Sequence, residues 1–302
     1  MPLKNNFSYL TPFGRLVFLG GLMIFGTIIA MAIFYTINTL IWEYNMNQLS
    51  YLSMVTDPNI IWVAKYLQIF SQIGLFILPA IAFAFLVSNS PWKELGISKA
   101  LSGKGILFVL IITLLAIPFI NLLAIWNAQW HLPQFLGFVE DWMREMQHKN
   151  DILLQVMLQM NSNADILINI LMVVLLPAIG EELIFRGVIQ KQLHKWVQRP
   201  HTAIIVTALL FSAFHMQFLG FLSRFLLGML FGYFYYYSKN LWSAIWAHLV
   251  NNGLALILAI IYGTQNQNEV MDGASTVAIT IPSILLFGLS IFLLLKTRNK
   301  LT

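Results

Sequence analysis

Long runs of apolar residues recur along this chain and constrain its fold more than any other feature. About 20 consecutive apolar residues in a helix cross the hydrocarbon core of a bilayer. The chain is 59% hydrophobic and 10% charged, whereas a soluble domain is roughly 45–50% apolar and 25% charged. The sequence therefore predicts an all-α polytopic membrane protein with about eight transmembrane helices. Their predicted bounds are 16–42, 60–88, 106–126, 166–185, 202–216, 219–237, 241–263 and 277–295.

The basic residues fall mainly on one side of these predicted helices, which suggests an orientation. With a cytoplasmic N-terminus, the inner loops and termini hold Lys4, Arg15, Lys93, Lys99, Lys104, Lys191, Lys195, Arg199, Lys239, Lys296, Arg298 and Lys300. Only Arg144 and Lys149 fall in outer loops. Because cytoplasmic loops are enriched in Lys and Arg, both termini are predicted to be cytoplasmic. Lys65 is interpreted as a structural residue, because it lies near the outer end of its helix and can extend toward the interface.

The segments between the apolar runs are too short for a separate soluble domain, and no internal repeat is evident. The sequence therefore predicts one transmembrane domain over 1–302. The longest connection, 127–165, mixes aromatic and charged residues as an amphipathic interfacial helix does, and it is predicted to be extracytoplasmic. The net charge of +5 is explained by the loop lysines and arginines, so no nucleic-acid partner is expected. The chain has no cysteine, which excludes disulfides and a cysteine nucleophile.

A cluster of ionisable residues, Glu181, Glu182 and Arg186, lies within the fourth apolar run. Charged side chains are costly in a membrane and usually face a protein interior or an aqueous cavity. Residues four apart share a helix face, so Glu182 is expected to neutralise Arg186, leaving Glu181 on another face as a candidate general base. A buried ion-pair cluster that holds helices together is an equally good interpretation of this motif alone.

Two further residue pairs follow at the same helical spacing: Phe211 with His215 on one helix face, and the polar residues His248 and Asn252. Hydrolysis of a peptide bond needs a base that activates water and donors for the oxyanion. Glu181 and His215 fit the first role, and His248 and Asn252 the second, with Asn251 turned away.

The same set offers an alternative mechanism. Glu181, His215 and His248 are ligand types that hold a zinc ion, and the sequence does not decide whether zinc or no cofactor is used. Arg224, farther along the chain, could contact a substrate carboxylate, but pairing with an acidic side chain near the outer side is the expected role. Gly228 and Gly232 are expected to permit close helix packing.

The three motifs together, EExxxR, FxxxH and HxxxN, resemble those of the CPBP family of intramembrane proteases. That family includes the type II CAAX prenyl endopeptidases and the bacterial Abi and lysostaphin-resistance-like membrane proteins. The resemblance implies a protease core over about 165–263. It also implies that Glu181 and His215 activate water, that His248 and Asn252 line the oxyanion site, and that Glu182 and Arg186 organise the site. The family has been described both as metalloproteases and as glutamate-dependent proteases.

The leading interpretation is thus an intramembrane endopeptidase acting on a membrane-associated protein or peptide, expected in the inner membrane of a bacterial cell. Two functions of other classes stay open. Intramembrane Glu and His residues also serve as proton relays in proton-coupled transporters. A noncatalytic immunity or scaffold protein would bind partners within the membrane. The sequence specifies neither the substrate nor the oligomeric state.

Overall fold

The computed structural model describes residues 5–43, 58–160, 162–262 and 276–297, and these residues form helices and turns without a strand. The prediction of an all-α membrane protein is confirmed for this part of the chain. Some of the sequence predictions concern residues outside it: Lys4, Arg298, Lys300 and the end of the seventh predicted helix at Gly263.

Thirteen α-helices follow one another in the described residues, several of them joined end to end by wider π-helical turns. They are α1 Pro12–Ile37, α2 Pro58–Gln72, α3 Leu78–Val87, α4 Pro91–Leu95, α5 Gly103–Ala128, α6 Gly137–Met157, α7 Asn163–Asn169, α8 Leu176–Glu182, α9 Lys191–Val197, α10 Pro200–Phe214, α11 Phe221–Ser238, α12 Leu241–Tyr262 and α13 Thr276–Thr297. The chain divides into two compact units. Unit 1 comprises Met1–Lys99 and Leu153–Gln198, and unit 2 comprises Ala100–Ile152 and Arg199–Thr302. The single domain over 1–302 stays a prediction.

Seven helical segments of the described residues are long and apolar enough to cross a membrane. They are Pro12–Trp42, Asn59–Val87, Gly103–Ala128, Asn163–Val197, Phe218–Ser238, Leu241–Ile261 and Thr280–Thr297. The remaining predicted crossing, 202–216, corresponds to α10, which has only 15 residues. At 1.5 Å per residue α10 is about 22 Å long, shorter than the hydrocarbon core of about 30 Å. The predicted number of about eight therefore becomes seven long helices and one short apolar helix.

Unit 1 is held together by a close approach between α1 and the π-helical turn Ile73–Ile77 that joins α2 to α3. A Cβ atom added to Gly26 would lie 2.4 Å from the carbonyl oxygen of Gly74. A Cβ atom added to Gly74 would lie 2.4 Å from the Cβ of Ala30. Because real side chains cannot approach so closely, both glycines are required at this helix crossing.

Lys65 of α2 does not extend to the interface as its position suggested. Its side chain is fully buried, and its Nζ lies 2.9 Å from Asp165 Oδ1 and donates to the carbonyl oxygen of Gln159 at 2.9 Å. Ser162 donates a further hydrogen bond of 2.8 Å to the other oxygen of Asp165. A buried ion pair thus fastens α2 to the start of α7, and the snorkelling prediction was wrong because a carboxylate distant in sequence satisfies the amine.

The sequence Leu-Pro-Ala-Ile occurs twice in unit 1, once in α3 and once in α8, and the backbone has the same geometry in both places. Leu78 donates its N–H to Ile73 O, and Leu176 donates its N–H to Leu171 O, five residues back in each case. The following proline has no N–H to donate, which favours a widened turn at this point. This local repeat is too short to indicate a repeated domain.

Unit 2 packs α5 against α11, α12 and α13, and α10 against α11. Its core contains buried apolar side chains from several of these helices, among them Val109, Ile112, Phe231, Phe234 and Ala247. Asn127 at the end of α5 accepts a hydrogen bond of 2.9 Å from the backbone N–H of Leu222 and so satisfies the first turn of α11.

The connection before α7 forms a helix, α6, as predicted, with exposed Phe138 and Trp142. Glu140 secures the start of this helix: Leu132 N–H donates to one carboxylate oxygen at 2.7 Å, and Arg144 Nε donates to the other at 2.8 Å. These two donors and His131 lower the pKa of Glu140 to about 2. The extracytoplasmic placement of α6 stays a prediction.

Candidate active site

The first motif lies in unit 1 on a 35-residue helical segment, Asn163–Val197, built from α7, α8, α9 and two π-helical turns. Glu181 and Glu182 end α8, and Arg186 lies in the π-helical turn Leu183–Gln190 that follows. Such widened turns occur frequently at functional sites. Directly before the carboxylates, a Cβ on Gly180 would lie 2.9 Å from the Cβ of Phe76, so the glycine brings this part of α8 against the turn before α3.

The predicted pair of Glu182 and Arg186 is present. Arg186 Nη1 donates to Glu182 Oε1 at 2.8 Å, and both side chains are fully buried. A buried charge without a partner would cost several kcal/mol, so each of these residues needs the other.

Glu181 is also buried, at 6% exposure, and its carboxylate attracts the Arg186 guanidinium along with that of Glu182. Helical spacing predicts a partner for Arg186 only in Glu182. One arginine therefore interacts electrostatically with two neighbouring carboxylates. Glu181 is thus coupled to the pair of Glu182 and Arg186, although helical spacing places it on another face.

His215 follows the last residue of α10 in unit 2, and its ring Nδ1 lies 2.8 Å from the carbonyl oxygen of Phe211. A carbonyl oxygen only accepts hydrogen bonds, so Nδ1 carries the proton of the neutral imidazole. The other ring nitrogen, Nε2, then bears the lone pair that a base or a metal ligand requires. The predicted shared face of Phe211 and His215 is confirmed by their ring contact, with centroids 4.9 Å apart.

His248 lies in α12 and is 4% exposed between two aromatic rings. Its ring stacks on Phe231 at 5.0 Å and meets Phe211 edge to face at 6.1 Å. Phe211 therefore contacts both imidazoles of unit 2. Gly228 permits this arrangement, because a Cβ there would lie 3.2 Å from a ring carbon of Phe211, as the predicted close helix packing requires.

Asn252 lies one turn after His248, and its Oδ1 accepts a hydrogen bond of 3.1 Å from the side-chain amide of Asn251. Asn251 was predicted to turn away, but it contacts its neighbour. The Oδ1 of Asn252 thus accepts from its neighbour, and its Nδ2 is the group of this side chain that can donate. No feature of the sequence distinguished this orienting role from that of an ordinary polar residue.

Arg224 also has a role that the sequence did not predict. Its guanidinium donates to the carbonyl oxygen of Gln217 at 2.8 Å and to the side-chain oxygen of the same residue. The expected acidic partner is replaced by this amide, while Asp151 contributes electrostatic attraction. Ser212 Oγ donates to Phe221 O at 2.7 Å. Together these contacts fasten the connection that follows His215.

Within each unit taken separately, the described residues contain no group of three or more His, Asp or Glu side chains that could hold a metal ion. The predicted zinc ligands are Glu181 from unit 1 and His215 and His248 from unit 2, and this set stays a prediction. Unit 1 brings together Glu181, Glu182 and Arg186, and unit 2 brings together the two histidines around Phe211, with Asn252 one turn from His248.

Residues 163–254 match a protein-family model described as "Type II CAAX prenyl endopeptidase Rce1-like". The match contains all three motifs, so the resemblance of this segment to CAAX-type membrane proteases is confirmed. No curated protein and no solved structure matches the chain significantly.

Proposed function

We propose that this chain is a membrane endopeptidase that hydrolyses a peptide bond of a membrane-associated protein or peptide. The match of residues 163–254 to the CAAX-type endopeptidase model carries this proposal. Seven helices long enough to cross a bilayer support an integral membrane protein. The proposed catalytic residues are Glu181, His215, His248 and Asn252.

In the proposed reaction Glu181 acts as the general base. Its carboxylate takes a proton from water as the water oxygen attacks the peptide carbonyl carbon, and the proton later passes to the departing amine as the C–N bond breaks. His215 accepts a hydrogen bond from the same water through Nε2, the nitrogen that its bond to Phe211 leaves unprotonated. Burial of Glu181 supports this role, because a water-poor site strengthens the charge interactions of the transition state.

The negative oxygen that develops on the carbonyl needs hydrogen-bond donors. We assign this role to His248 and to the Nδ2 of Asn252, which Asn251 helps to orient. Arg186 and Glu182 hold the first motif in place without contacting the substrate.

Zinc remains an alternative within the same proposal. Bound by Glu181, His215 and His248, it would polarise the attacking water. The neutral tautomer of His215 suits a metal ligand as well as a base. Measuring the metal content of active enzyme, and its activity after chelation, separates the two versions. Full activity without metal would exclude zinc.

The orientation with both termini cytoplasmic, in a bacterial inner membrane, is part of the proposal. Because the chain has no cysteine, single cysteines give labelling without background. Asn6→Cys and Lys296→Cys should be protected from an impermeant thiol reagent in intact cells, whereas His148→Cys in α6 should react. Labelling of both terminal cysteines under these conditions would show that the termini lie outside the cell and would contradict the proposed orientation.

The activity itself is tested by comparing protein termini in host membranes that contain the wild-type chain or Glu181→Gln. The wild type should generate new C-termini that the variant does not generate. Glu145→Gln is the matched control, since Glu145 is an exposed carboxylate paired with Lys149. Identical termini in all three membranes would contradict the proposal. A peptide tested with and without a prenyl group then decides whether a prenylated cysteine is required.

A further inference from the structure

Two lysines of unit 1, Lys191 and Lys195, flank one carboxylate, Glu94. Arg15 lies near enough to Lys191 to repel it, and we call these four residues the basic cluster. Lys191 donates a hydrogen bond to the backbone oxygen of Glu94, and its Nζ lies 3.3 Å from Glu94 Oε1. The Nζ of Lys195 lies 3.7 Å from the same oxygen. A single carboxylate oxygen therefore forms ion pairs with two lysines.

The positive charges of the basic cluster exceed what Glu94 can balance. Lys191 experiences repulsion from both Lys195 and Arg15. Arg15 donates from one Nη to the backbone oxygen of Ser8 at 2.6 Å, while its buried Nε has no hydrogen-bond partner in the described part of the chain. Three cations and one carboxylate in the basic cluster leave an excess of positive charge, and Arg15 Nε is an unsatisfied donor; an anion would relieve both.

The basic cluster lies where three membrane-spanning helices end. Arg15 is in the first turn of Pro12–Trp42, Glu94 follows Asn59–Val87 by seven residues, and Lys191 and Lys195 are in the last two turns of Asn163–Val197. Such ends reach the level of the lipid head groups.

Aromatic side chains beside the basic cluster support this depth. Trp92 and Trp196 are 48% and 53% exposed, and the Trp196 ring packs against Phe13 with centroids 5.1 Å apart. Tryptophan is enriched at the head-group level of membranes, where its ring meets both hydrocarbon and water. Cations and tryptophans together at one end of a helical unit match the chemistry of a phospholipid with a negative head group.

We propose that the basic cluster is a binding site for the phosphate group of an anionic phospholipid, with Arg15, Lys191 and Lys195 as its donors. The lipid chains lie along the exposed apolar surface beside Phe13 and Trp196. Glu94 holds the lysines in place and partly competes with the lipid for their charge. This inference is independent of the proposed peptidase activity, because none of these residues belongs to the catalytic set.

The test uses the purified full-length chain in neutral detergent, with phosphatidylglycerol or phosphatidylcholine added and bound lipid counted by native mass spectrometry. The wild type should retain phosphatidylglycerol preferentially. Lys195→Gln should weaken retention about fivefold, since each cation near an anionic lipid contributes about 1 kcal/mol. Arg15→Gln combined with Lys195→Gln should weaken it about 25-fold if the two contributions add. Because Lys195 is 44% exposed in its side chain, the single variant should fold normally.

The opposite sign is expected for Glu94→Gln, which removes the competing anion and should strengthen retention. The matched control is Lys104→Gln with Lys296→Gln, which removes two exposed lysines of unit 2 and should leave retention unchanged. An equal loss of lipid retention in this control would show that any lysine attracts the lipid, and it would overturn the proposed binding site. Weaker retention in Glu94→Gln, or displacement of the lipid by an equal concentration of inorganic phosphate, would overturn the proposed occupant.

Discussion

Two Glu-x-x-x-Arg pairs in this chain have the same spacing and nearly the same geometry, yet they lie in different surroundings. Glu182 and Arg186 in unit 1 are 2.8 Å apart and fully buried. Glu140 and Arg144 in α6 of unit 2 are also 2.8 Å apart, with side chains 16% and 35% exposed. The first pair occurs beside a candidate general base, and the second fastens the start of a surface helix. The two pairs share a sequence pattern and differ in burial. Burial therefore distinguishes a pair that organises a candidate site from one that stabilises the start of a surface helix.

The largest effect is expected when the buried pair is broken. Arg186→Met leaves Glu182 buried without its main partner, which should lower the free energy of unfolding by about 3–5 kcal/mol. Thermal or denaturant unfolding in detergent measures this loss. Replacing both residues, as Glu182→Leu with Arg186→Met, should recover much of the stability because no charge is then left unpaired. A double variant less stable than Arg186→Met would refute this explanation.

A smaller loss is expected from Gly180→Ala, next to the buried pair. The new Cβ would meet the Cβ of Phe76 at 2.9 Å and Cγ1 of Ile77 at 3.2 Å. Overpacking of this kind costs about 1–3 kcal/mol. It should also slow cleavage, because the shift displaces Glu181. Gly137→Ala, three residues before the partly exposed pair, is the matched control: nothing lies within 4 Å of its Cβ, and stability should be unchanged or higher. Equal losses in the two variants would remove the contrast between the regions.

The partly exposed pair of Glu140 and Arg144 should tolerate the same change that disrupts the buried pair. Arg144→Met removes the bond to Glu140 and another to the backbone oxygen of Trp130. Because exposed ion pairs are screened by water and salt, the loss should be much smaller than that from Arg186→Met, and it should shrink further at high salt. Unfolding at low and high salt tests this. A loss as large as that of Arg186→Met would show that burial does not distinguish the pairs.

The smallest effect concerns pH and the carboxylate of Glu140. Its pKa is lowered to about 2 in the folded chain, and that of an unfolded glutamate is about 4.3. Its stabilising effect is thus fully present above about pH 4.3 and is lost as the pH falls through about 2. Stability measured across this range should fall less steeply for Glu140→Gln than for the wild type. Parallel curves for the two proteins would contradict the assignment.

Much of the fold followed from local patterns. The apolar runs predicted the long helices, and four-residue spacing predicted the contacts of Glu182 with Arg186 and of Phe211 with His215. The snorkelling of Lys65 was wrong because its partner Asp165 lies 100 residues away in sequence, and local spacing carries no information about such pairs. Asn251 and Gln217 were missed because their roles depend on side-chain orientation. The two widened turns before α3 and α8 were predictable in principle, since Leu-Pro-Ala-Ile begins directly after each of them.

The central claim is that Glu181 activates water for peptide hydrolysis. It is tested most directly by the cleavage rate of purified Glu181→Gln relative to the wild type, with a substrate identified from host membranes and with Glu145→Gln as the control. The account predicts a loss of about 10²–10⁴-fold for Glu181→Gln, the usual contribution of a general base, and an unchanged rate for the control. Equal rates for the wild type and Glu181→Gln would contradict it.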